Sequence, residues 1–399
     1  MRILFLSTHN LATNPRLVKE IELALLNDHT VSVICFEFNN WSKPLNDEIK
    51  KRLVPHIKYV GIPGNRKPFG RWFMSTLLFS LSKVVLIFFP GNVFQLSLRS
   101  NKRSWLLLKE LKKMNDKFNL VVAHNPGSFY PAQLFAQKNK IPFGIDLEDY
   151  HPGESNDGKT IIFSKKLNRA VLPNADYITA ASPLILEYSE ADLPVPLKNK
   201  QVILNYFPST EFTNPGNKDS EKLTLVWFSQ NISFHRGLEQ LIPAIRNNNQ
   251  IELHFFGNCN ETFRDRWLAD CSNLQLHPSL PQWELHHRLA LYDIGLAIEP
   301  GKDLNNELAL SNKMLAYFQS GLYILASNTK AQERFITEHP EHGMLTSLSS
   351  EDLKRAIQKL IDQKQSLRAS SNARYETAKK YDWEHESEKL TRIWEEMNH

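Results

Sequence analysis

The first 36 residues contain the pattern that most restricts the fold of this chain. A buried strand is predicted over residues 3–6, an amphipathic helix over 15–26 and a second strand over 30–36. Two strands joined through a helix lie parallel in one sheet, because a tight turn joins only antiparallel strands. The chain therefore begins as a parallel α/β sheet.

The same alternation continues through the N-terminal half and begins again near residue 223. A polar segment at 208–224 has the composition of a linker. We therefore predict two Rossmann-like α/β domains, one at 1–207 and one at 208–380, which suits a chain of 399 residues. Residues 381–399 are expected to form a C-terminal helix that packs back on the N-terminal domain.

Composition is that of a globular protein, with 42% apolar and 23% charged residues. The three cysteines form no CxxC pair and no secretory leader precedes the first strand, so we expect a cytoplasmic protein. No group of cysteines and histidines has zinc-site spacing, and no metal site is expected.

Positive charge is concentrated in one part of the chain. Residues 51–120 hold fourteen lysines and arginines against two acidic residues, a net charge of +12 in a chain whose total is +5. Such a segment either binds the phosphates of nucleic acid or anionic lipid, or is a solvated helical face. Because no RRM, KH or helix-turn-helix signature is present, nucleic acid is not an expected partner.

Residues 71–105, inside this basic part, do not fit a doubly wound sheet. Their apolar run approaches the length of a membrane span, but Lys83 lies in its middle and Pro90-Gly91 interrupts it. We predict one or two amphipathic helices. Their apolar face either packs on the protein or enters an anionic membrane surface beside the basic residues of 64–117.

A second informative segment is 293–328, whose pattern predicts a strand, a polar loop, a helix that ends at a glycine, and a second strand. Ser311 and Asn312 are good N-caps, and Gly321 can adopt a left-handed C-cap. The N-terminus of this helix exposes unpaired N–H groups and positive dipole, and Lys313 adds a full charge. The segment is either a diphosphate site or an ordinary βαβ unit with a capped helix.

Several stretches resemble the family-four, retaining nucleotide-sugar glycosyltransferases. The strongest is LSNKMLAYFQSGLYILASN (310–328), similar to the family pattern P-x-K-hydrophobic-x-E-Y-x-x-x-G-x-P-V-hydrophobic-A-S. Other similar stretches are WFSQNISFHRGLEQLIPAI (227–245), 14–34, 121–149, 175–182 and 381–397. The resemblance implies GT-B architecture, in which two Rossmann-like α/β domains face each other across a cleft.

The resemblance also implies a donor site on the C-terminal domain. Retaining transfer needs no protein nucleophile if the departing diphosphate is neutralised and the acceptor attacks on the face that it leaves. Arg236 and Lys313 are the expected cations, and Glu307 is expected to contact the donor sugar. The further donor-binding residues would be Ser229, Gln230, Gly257, Asn258, Glu299, Ser311 and Asn312.

Two positions depart from the family pattern. Its ribose-binding glutamate is replaced by Ala316, so that contact is absent or supplied elsewhere. Its Gly-Arg in the first loop is replaced by Ser229-Gln230, so phosphate binding would depend more on Arg236, Lys313 and the helix dipole.

On the N-terminal domain, His124 ends a strand where the family often has a histidine facing the transferred sugar. A capping or packing role is the alternative. Asp146 and Glu148 end the next strand on one side, while Asp149 points to the other side, and one of these acids is a candidate base for the acceptor hydroxyl. The expected acceptor-binding residues are Thr8, His9, Asn10, Arg16, Asp146 and Glu148.

The sequence thus predicts transfer of a sugar from a nucleotide donor to a glycan or lipid-linked acceptor in cell-surface polysaccharide biosynthesis. The donor is a co-substrate, and no cofactor is expected. The protein would be cytoplasmic and peripheral on the inner face of the membrane. The alternatives are a degenerate homologue acting as a scaffold, an inverting transferase or a sugar-nucleotide epimerase.

Overall fold

The computed structural model describes residues 1–216, 218 and 220–397. Two compact units are present. The first unit contains residues 1–204 and the chain from Ser387 onward, and the second contains Asn205–Glu386. The domain limits predicted from the sequence are 207 and 380, and the two units divide after Leu204 and after Glu386.

The first unit is built on a seven-stranded sheet in which every pairing is parallel. Its strands are β1 (Arg2–Ser7), β2 (Thr30–Glu37), β3 (Lys58–Pro63), β4 (Leu120–His124), β5 (Phe143–Leu147), β6 (Tyr177–Ala180) and β7 (Lys200–Val202). Their order is β3-β2-β1-β4-β5-β6-β7. β1 and β4 lie inside the sheet and are almost entirely buried, as expected for central strands of a parallel sheet.

Helices connect these strands. They are α1 (Pro15–Leu26), α2 (Lys43–Leu53), α3 (Phe69–Phe88), α4 (Val93–Ser100), α5 (Ser104–Leu111), α6 (Pro126–Asn139), α7 (Gly158–Val171) and α8 (Pro183–Ala191). α1 begins where the sequence predicts, because Asn14 accepts a hydrogen bond from the Leu17 N–H and Pro15 occupies the first turn. Its apolar side is buried against the sheet.

The second unit has a six-stranded sheet, also parallel in every pairing. Its strands are β8 (Leu223–Ile232), β9 (Ile251–Cys259), β10 (Leu274–His277), β11 (Ile294–Ala297), β12 (Tyr323–Ser327) and β13 (Gly343–Thr346). Their order is β10-β9-β8-β11-β12-β13. Trp227 on β8 and Phe255 on the neighbouring β9 are fully buried in the apolar core.

The helices of this unit complete the alternation. They are α9 (Leu238–Ile245), α10 (Glu261–Phe263), α11 (Gln282–Leu289), α12 (Leu304–Leu308), α13 (Asn312–Gln319), α14 (Lys330–Glu338), α15 (Ser350–Asp362), α16 (Lys364–Ala369), α17 (Ser371–Ala378) and α18 (Trp383–Glu396). α18 starts in the second unit, and from Ser387 its residues belong to the first unit. There Trp394 is buried, and its indole N–H donates to the Tyr177 hydroxyl at 3.0 Å.

The sheet register places polar residues in one row at the carboxyl end of the first sheet. Ser7 pairs with His124, His124 with Asp146, and Asp146 with Thr179. Loops that follow parallel strands also meet at this edge. Candidate site residues of the first unit are therefore neighbours, although they are far apart in sequence.

Candidate functional site

The N-terminus of α13 in the second unit has the predicted capping. The Ser311 Oγ accepts the Met314 N–H at 3.4 Å, and Gly321 has a φ of 69° after the last turn. Both predictions for this helix, the serine N-cap and the left-handed glycine, are confirmed. Asn312 is also held, because its Oδ1 accepts a hydrogen bond from the Asn205 Nδ2 at 2.8 Å.

Lys313 lies in the first turn of α13 and forms an ion pair with Glu299. The Lys313 Nζ is 2.8 Å from the Glu299 Oε1 and 5.6 Å from the centre of the Trp227 ring. Its side chain is only 13% exposed. The ammonium group is thus held at the helix N-terminus by one carboxylate and one aromatic face.

Glu299 is fixed by the strand that precedes it and by the neighbouring strand. β11 ends at Ala297, and the Ser327 Oγ at the end of β12 accepts the Glu299 N–H and donates to its carbonyl, both at 2.8 Å. One hydroxyl therefore satisfies both backbone groups of Glu299. Two predicted donor residues, Glu299 and Lys313, are brought into direct contact.

The loop that carries Arg236 packs beside this pair. Gly237 has a φ of 78°, and a Cβ at this position would lie 2.7 Å from the Ile298 Cγ2. Ile298 directly precedes Glu299, so the two loops are in contact. Arg236 itself is exposed and forms no ion pair with any residue that the structure describes.

Glu307 contacts the N-terminus of the next helix, α14. Its Oε2 accepts the backbone N–H of Lys330 at 3.1 Å, so its carboxylate lies at the N-terminus of α14. This is a favourable place for a negative charge. Contact of Glu307 with a donor sugar stays a prediction.

Four other predicted donor residues lie in strands, although loops were expected. Ser229 and Gln230 are part of β8, where the pairing with β9 shifts register between Phe228 and Asn231. Gly257 and Asn258 are part of β9. Gly257 has a φ of 146°, and a Cβ there would approach the Ser229 carbonyl oxygen to 2.1 Å, so only glycine fits.

Ala316 is completely buried on α13. A glutamate at this position would bury its charge here at a large cost. Alanine therefore suits the packing of this helix.

The first unit contains a buried cluster of charged residues. The Arg16 Nε and Nη2 contact the two Asp146 oxygens at 2.8 and 2.6 Å, and the Thr179 Oγ1 donates to Asp146 at 2.6 Å. The His124 Nδ1 is 3.5 Å from Asp146, and its Nε2 is 3.3 Å from Glu20. All four charged side chains are at most 5% exposed.

This cluster balances its own charges. Burial disfavours the imidazolium, but Glu20 and Asp146 on its two sides outweigh burial and raise the pKa of His124 to about 10. Burial also opposes ionisation of Asp146, yet the Arg16 guanidinium holds the pKa of Asp146 below its usual range. Burial raises the pKa of Glu20, however. Arg16 and Asp146 therefore form a compensated ion pair, and His124 and Glu20 lie beside it as a second buried pair.

Two predicted site residues, Arg16 and His124, thus both lie against a third, Asp146. Their roles toward sugar or acceptor stay predictions. Sequence reasoning missed Glu20, although its position four residues after Arg16 puts both on the same side of α1.

The loop after β1 holds the remaining predicted acceptor residues. Thr8 and Asn10 are buried, and the Asn10 Nδ2 donates to the Ser42 Oγ at 2.8 Å. The half-buried His9 has its pKa lowered to about 4, first by burial and then by His151 and Arg103. His9 is therefore a neutral imidazole near pH 7.

Glu148, after the end of β5, has a strongly raised pKa although its side chain is not fully buried. Burial, followed by the charges of Asp149 and Asp146, raises its pKa from 4.5 to about 8. A half-buried carboxylic acid that titrates near neutral pH is suited to proton transfer. This property of Glu148 could not be read from its position in the sequence.

Two groups of described residues have the spacing of metal ligands. They are Glu20, His124 and Asp146, and Asp149, His151 and Glu154, each with ligand atoms within 4.8 Å of one another. In the first group Arg16 already neutralises Asp146. In the second group His151 is buried, Asp149 is half-buried and Glu154 is exposed.

No protein-family model matches this sequence, and no curated protein matches it. Solved structures match over nearly the full chain. HepE from Anabaena, solved with UDP and glucose, has a TM-score of 0.66 and 15% identity over 99% of this chain and 100% of that chain.

Two further enzymes match in the same way. Sucrose-phosphate synthase from Thermosynechococcus elongatus has a TM-score of 0.64 and 12% identity over 100% of this chain and 99% of that one. The lipopolysaccharide outer core galactosyltransferase WaaB has a TM-score of 0.61 and 13% identity, with 98% and 99% covered. At such low identity the likeness establishes the fold alone, and the chain has the α/β fold of the GT-B glycosyltransferases.

Proposed function

We propose that this protein is a glycosyltransferase that uses a nucleotide-sugar donor. The observation that carries the proposal is Lys313, a mostly buried cation held at a capped helix N-terminus at the carboxyl end of a parallel sheet. Such an end of a sheet is where α/β proteins bind nucleotides. The full-length likeness to HepE, whose structures contain UDP and UDP-glucose, supports a sugar nucleotide as donor.

The donor diphosphate would bind at the first turn of α13. Backbone N–H groups at this helix end attract anions, and Lys313 contributes a full charge. Because Lys313 is paired with Glu299, the phosphates would compete with that carboxylate for the ammonium. Arg236, exposed on the adjoining loop, would supply the second cation as charge develops on the leaving group.

The transfer would retain the configuration of the donor sugar and use no protein nucleophile. Glu299 and Glu307 follow β11 in the same segment and would contact sugar hydroxyls. On the first unit Glu148 would accept or share the proton of the acceptor hydroxyl, since its raised pKa allows both forms near neutral pH. No cofactor enters this proposal.

We further propose a glycan or lipid-linked saccharide as acceptor, in cell-surface polysaccharide biosynthesis. The protein would work in the cytoplasm, at the inner face of the membrane. The basic segment 64–117 supports this location, because anionic lipid attracts clustered lysines and arginines. Nucleic acid is not proposed as a partner.

Replacement of Lys313 tests the role of α13. With a donor that the wild type uses, Lys313→Ala should lower turnover by about 10²–10³-fold, the usual effect of removing one group that stabilises developing charge. Lys302→Ala is the matched control, because Lys302 is an exposed lysine of the same segment. Circular dichroism must show both variants folded. Unchanged turnover in Lys313→Ala would contradict the proposal.

A second candidate is a degenerate homologue that acts as a scaffold. It is favoured by Ala316 and by Ser229-Gln230, where residues expected to bind the nucleotide are absent.

An inverting transferase or an epimerase is distinguished from the retaining enzyme by the product. NMR of the freshly formed product should show that the sugar keeps the anomeric configuration that it had in the donor. Inversion of that configuration would contradict the retaining mechanism.

A further inference from the structure

Helix α3 has its hydrophobic side directed away from the protein. Among the described residues it is the one helix long and apolar enough to cross a membrane. Yet its buried positions are Ser75, Ser82 and Leu86, two of them serines. A helix of a water-soluble domain normally buries its apolar stripe and exposes its polar residues. α3 does the opposite.

The exposed side chains form one continuous surface, which we call the α3 face. At 3.6 residues per turn its members lie within an arc of about 120°. They are Phe69, Phe73, Leu77, Leu81, Val84 and Phe88, between 39% and 72% exposed. This is a patch of large apolar groups along a 20-residue helix, whereas single exposed apolar residues are common and need no explanation.

The other, buried side of α3 contains two small polar residues. The Ser75 Oγ donates to the Trp72 carbonyl at 3.0 Å, and the Ser82 Oγ donates to the Phe79 carbonyl at 2.6 Å. Both hydroxyls are satisfied within α3 itself, so the buried side needs no water. α3 packs mainly on α4, which holds it along the surface of the first unit.

Cations and aromatic rings border the α3 face. The Arg66 guanidinium lies 5.3 Å and the Lys102 ammonium 5.4 Å from the Trp72 ring. Arg99 is 4.8 Å from the Phe79 ring, and Lys83 is exposed on the same border. Tryptophan beside basic residues is the composition found at the interface between water and lipid headgroups.

No acidic residue offsets these cations within the neighbouring sequence. The 61 residues between Glu48 and Glu110 contain twelve lysines and arginines and no aspartate or glutamate. A second copy docking through the same face would bring like charges together, which disfavours a symmetric dimer. An anionic bilayer matches both the apolar stripe and the positive border.

We infer that the α3 face is a membrane-docking surface that lies in the plane of a bilayer rich in anionic phospholipid. The helix is about 30 Å long, enough to cross a bilayer. It does not cross, because crossing would separate α3 from α4 and carry Lys83 into hydrocarbon. The face instead enters the headgroup and acyl boundary to a depth of about 5–10 Å.

This inference specifies the surface behind the peripheral location proposed above, and it does not depend on the donor chemistry. The donor-binding residues belong to the second unit. Variants of the α3 face should therefore keep the donor affinity of the wild type. Loss of membrane binding and loss of nucleotide binding are separate results.

Sedimentation of the full-length protein with vesicles tests the docking surface. At about 0.1 M salt, vesicles with about 30% phosphatidylglycerol should pellet the protein, and pure phosphatidylcholine should pellet much less. Raising the salt to about 0.5 M should weaken binding to the anionic vesicles. Protein that stays in the supernatant with phosphatidylglycerol would overturn the inference.

Surface variants locate the contact. The double variant Phe73→Ser/Leu81→Ser should weaken partitioning onto the anionic vesicles by about tenfold or more, since two exposed apolar side chains are removed from the contact. Lys83→Gln should weaken it about fivefold, the effect of one cation near an anionic surface. Ile162→Ser and Lys159→Gln on α7 are the matched controls, because both residues are exposed elsewhere on the first unit. Equal losses in the controls would contradict the assignment to α3.

Two other results would each replace the inference. If sedimentation equilibrium without lipid shows a dimer that Phe73→Ser/Leu81→Ser dissociates, a second copy covers the α3 face. If the protein stays with membranes through an alkaline carbonate wash, α3 spans the bilayer. Circular dichroism of every variant should match the wild type, because the substituted side chains are exposed.

Discussion

The surroundings of Lys313 and Glu148 have opposite effects on the charges of these two residues. Lys313 has a carboxylate on one side and an indole ring on the other, so its charge is held in place without an anion bound. Glu148 has the opposite environment, in which burial and two neighbouring acids disfavour ionisation. The first is a positioned cation, and the second is an acid whose pKa is raised to about 8.

The pH dependence of stability should reveal Glu148. Burial and the neighbouring acids raise its pKa from the ordinary value of 4.5 to about 8. The stabilising contribution of its protonated form is therefore complete below about pH 4.5 and is lost as the pH rises toward 8. Glu148→Gln stays neutral, so its stability relative to the wild type should rise over this range, by about 1–2 kcal/mol at pH 8 after allowance for partial exposure.

Urea unfolding of the two proteins at several pH values measures this difference. Asp270→Asn is a suitable control, because Asp270 is an exposed acid of the second unit. A constant difference between Glu148→Gln and the wild type from pH 5 to pH 8 would show that Glu148 is already ionised.

In the first unit a cluster of buried charged side chains connects one helix with several strands. The Arg16 and Glu20 side chains come from α1, His124 ends β4, and Asp146 lies in β5. The Arg16 Nη1 also donates to the Ile203 carbonyl at 2.8 Å, just beyond β7. One cluster therefore fixes a helix against several strands at the edge where the candidate acceptor residues lie.

Breaking this cluster on one side should be costly. Asp146→Asn leaves Arg16 and His124 without their shared carboxylate, and removing one partner of a buried pair typically costs about 3–5 kcal/mol. The double variant Arg16→Met/Asp146→Leu removes both charges of the pair and should be less destabilised than Asp146→Asn. Urea unfolding followed by a probe in the first unit gives both values. Equal stability of Asp146→Asn and the wild type would contradict the role of the cluster.

For the whole molecule, the sequence predicts the architecture better than the site. Strand and helix periods are local, so two parallel α/β units and the caps at Ser311 and Gly321 follow from short stretches of sequence. The contact between Glu299 and Lys313 and the pairing of His124 with Glu20 depend on tertiary structure. The register shift between Phe228 and Asn231, which spans Ser229 and Gln230, also depends on pairing with β9.

The same distinction applies to α3. An apolar helical period predicts the helix, but it does not say whether the apolar side faces the protein or the solvent. Packing of Ser75 and Ser82 against the protein decides that question, and serine spacing alone carries no such signal. Donor nucleotide, sugar and acceptor are set by loop geometry in the same way, and no local pattern encodes them.

The measurement that tests the central claim most directly is titration calorimetry of the intact protein with a panel of sugar nucleotides carrying UDP, GDP, ADP and other nucleotides. One donor should bind, its bare nucleoside diphosphate should compete, and Lys313→Ala should abolish the heat while Lys302→Ala retains it. The same donor should be turned over by the wild type. If no member of the panel binds, the protein is not a nucleotide-sugar glycosyltransferase, and the scaffold function takes its place.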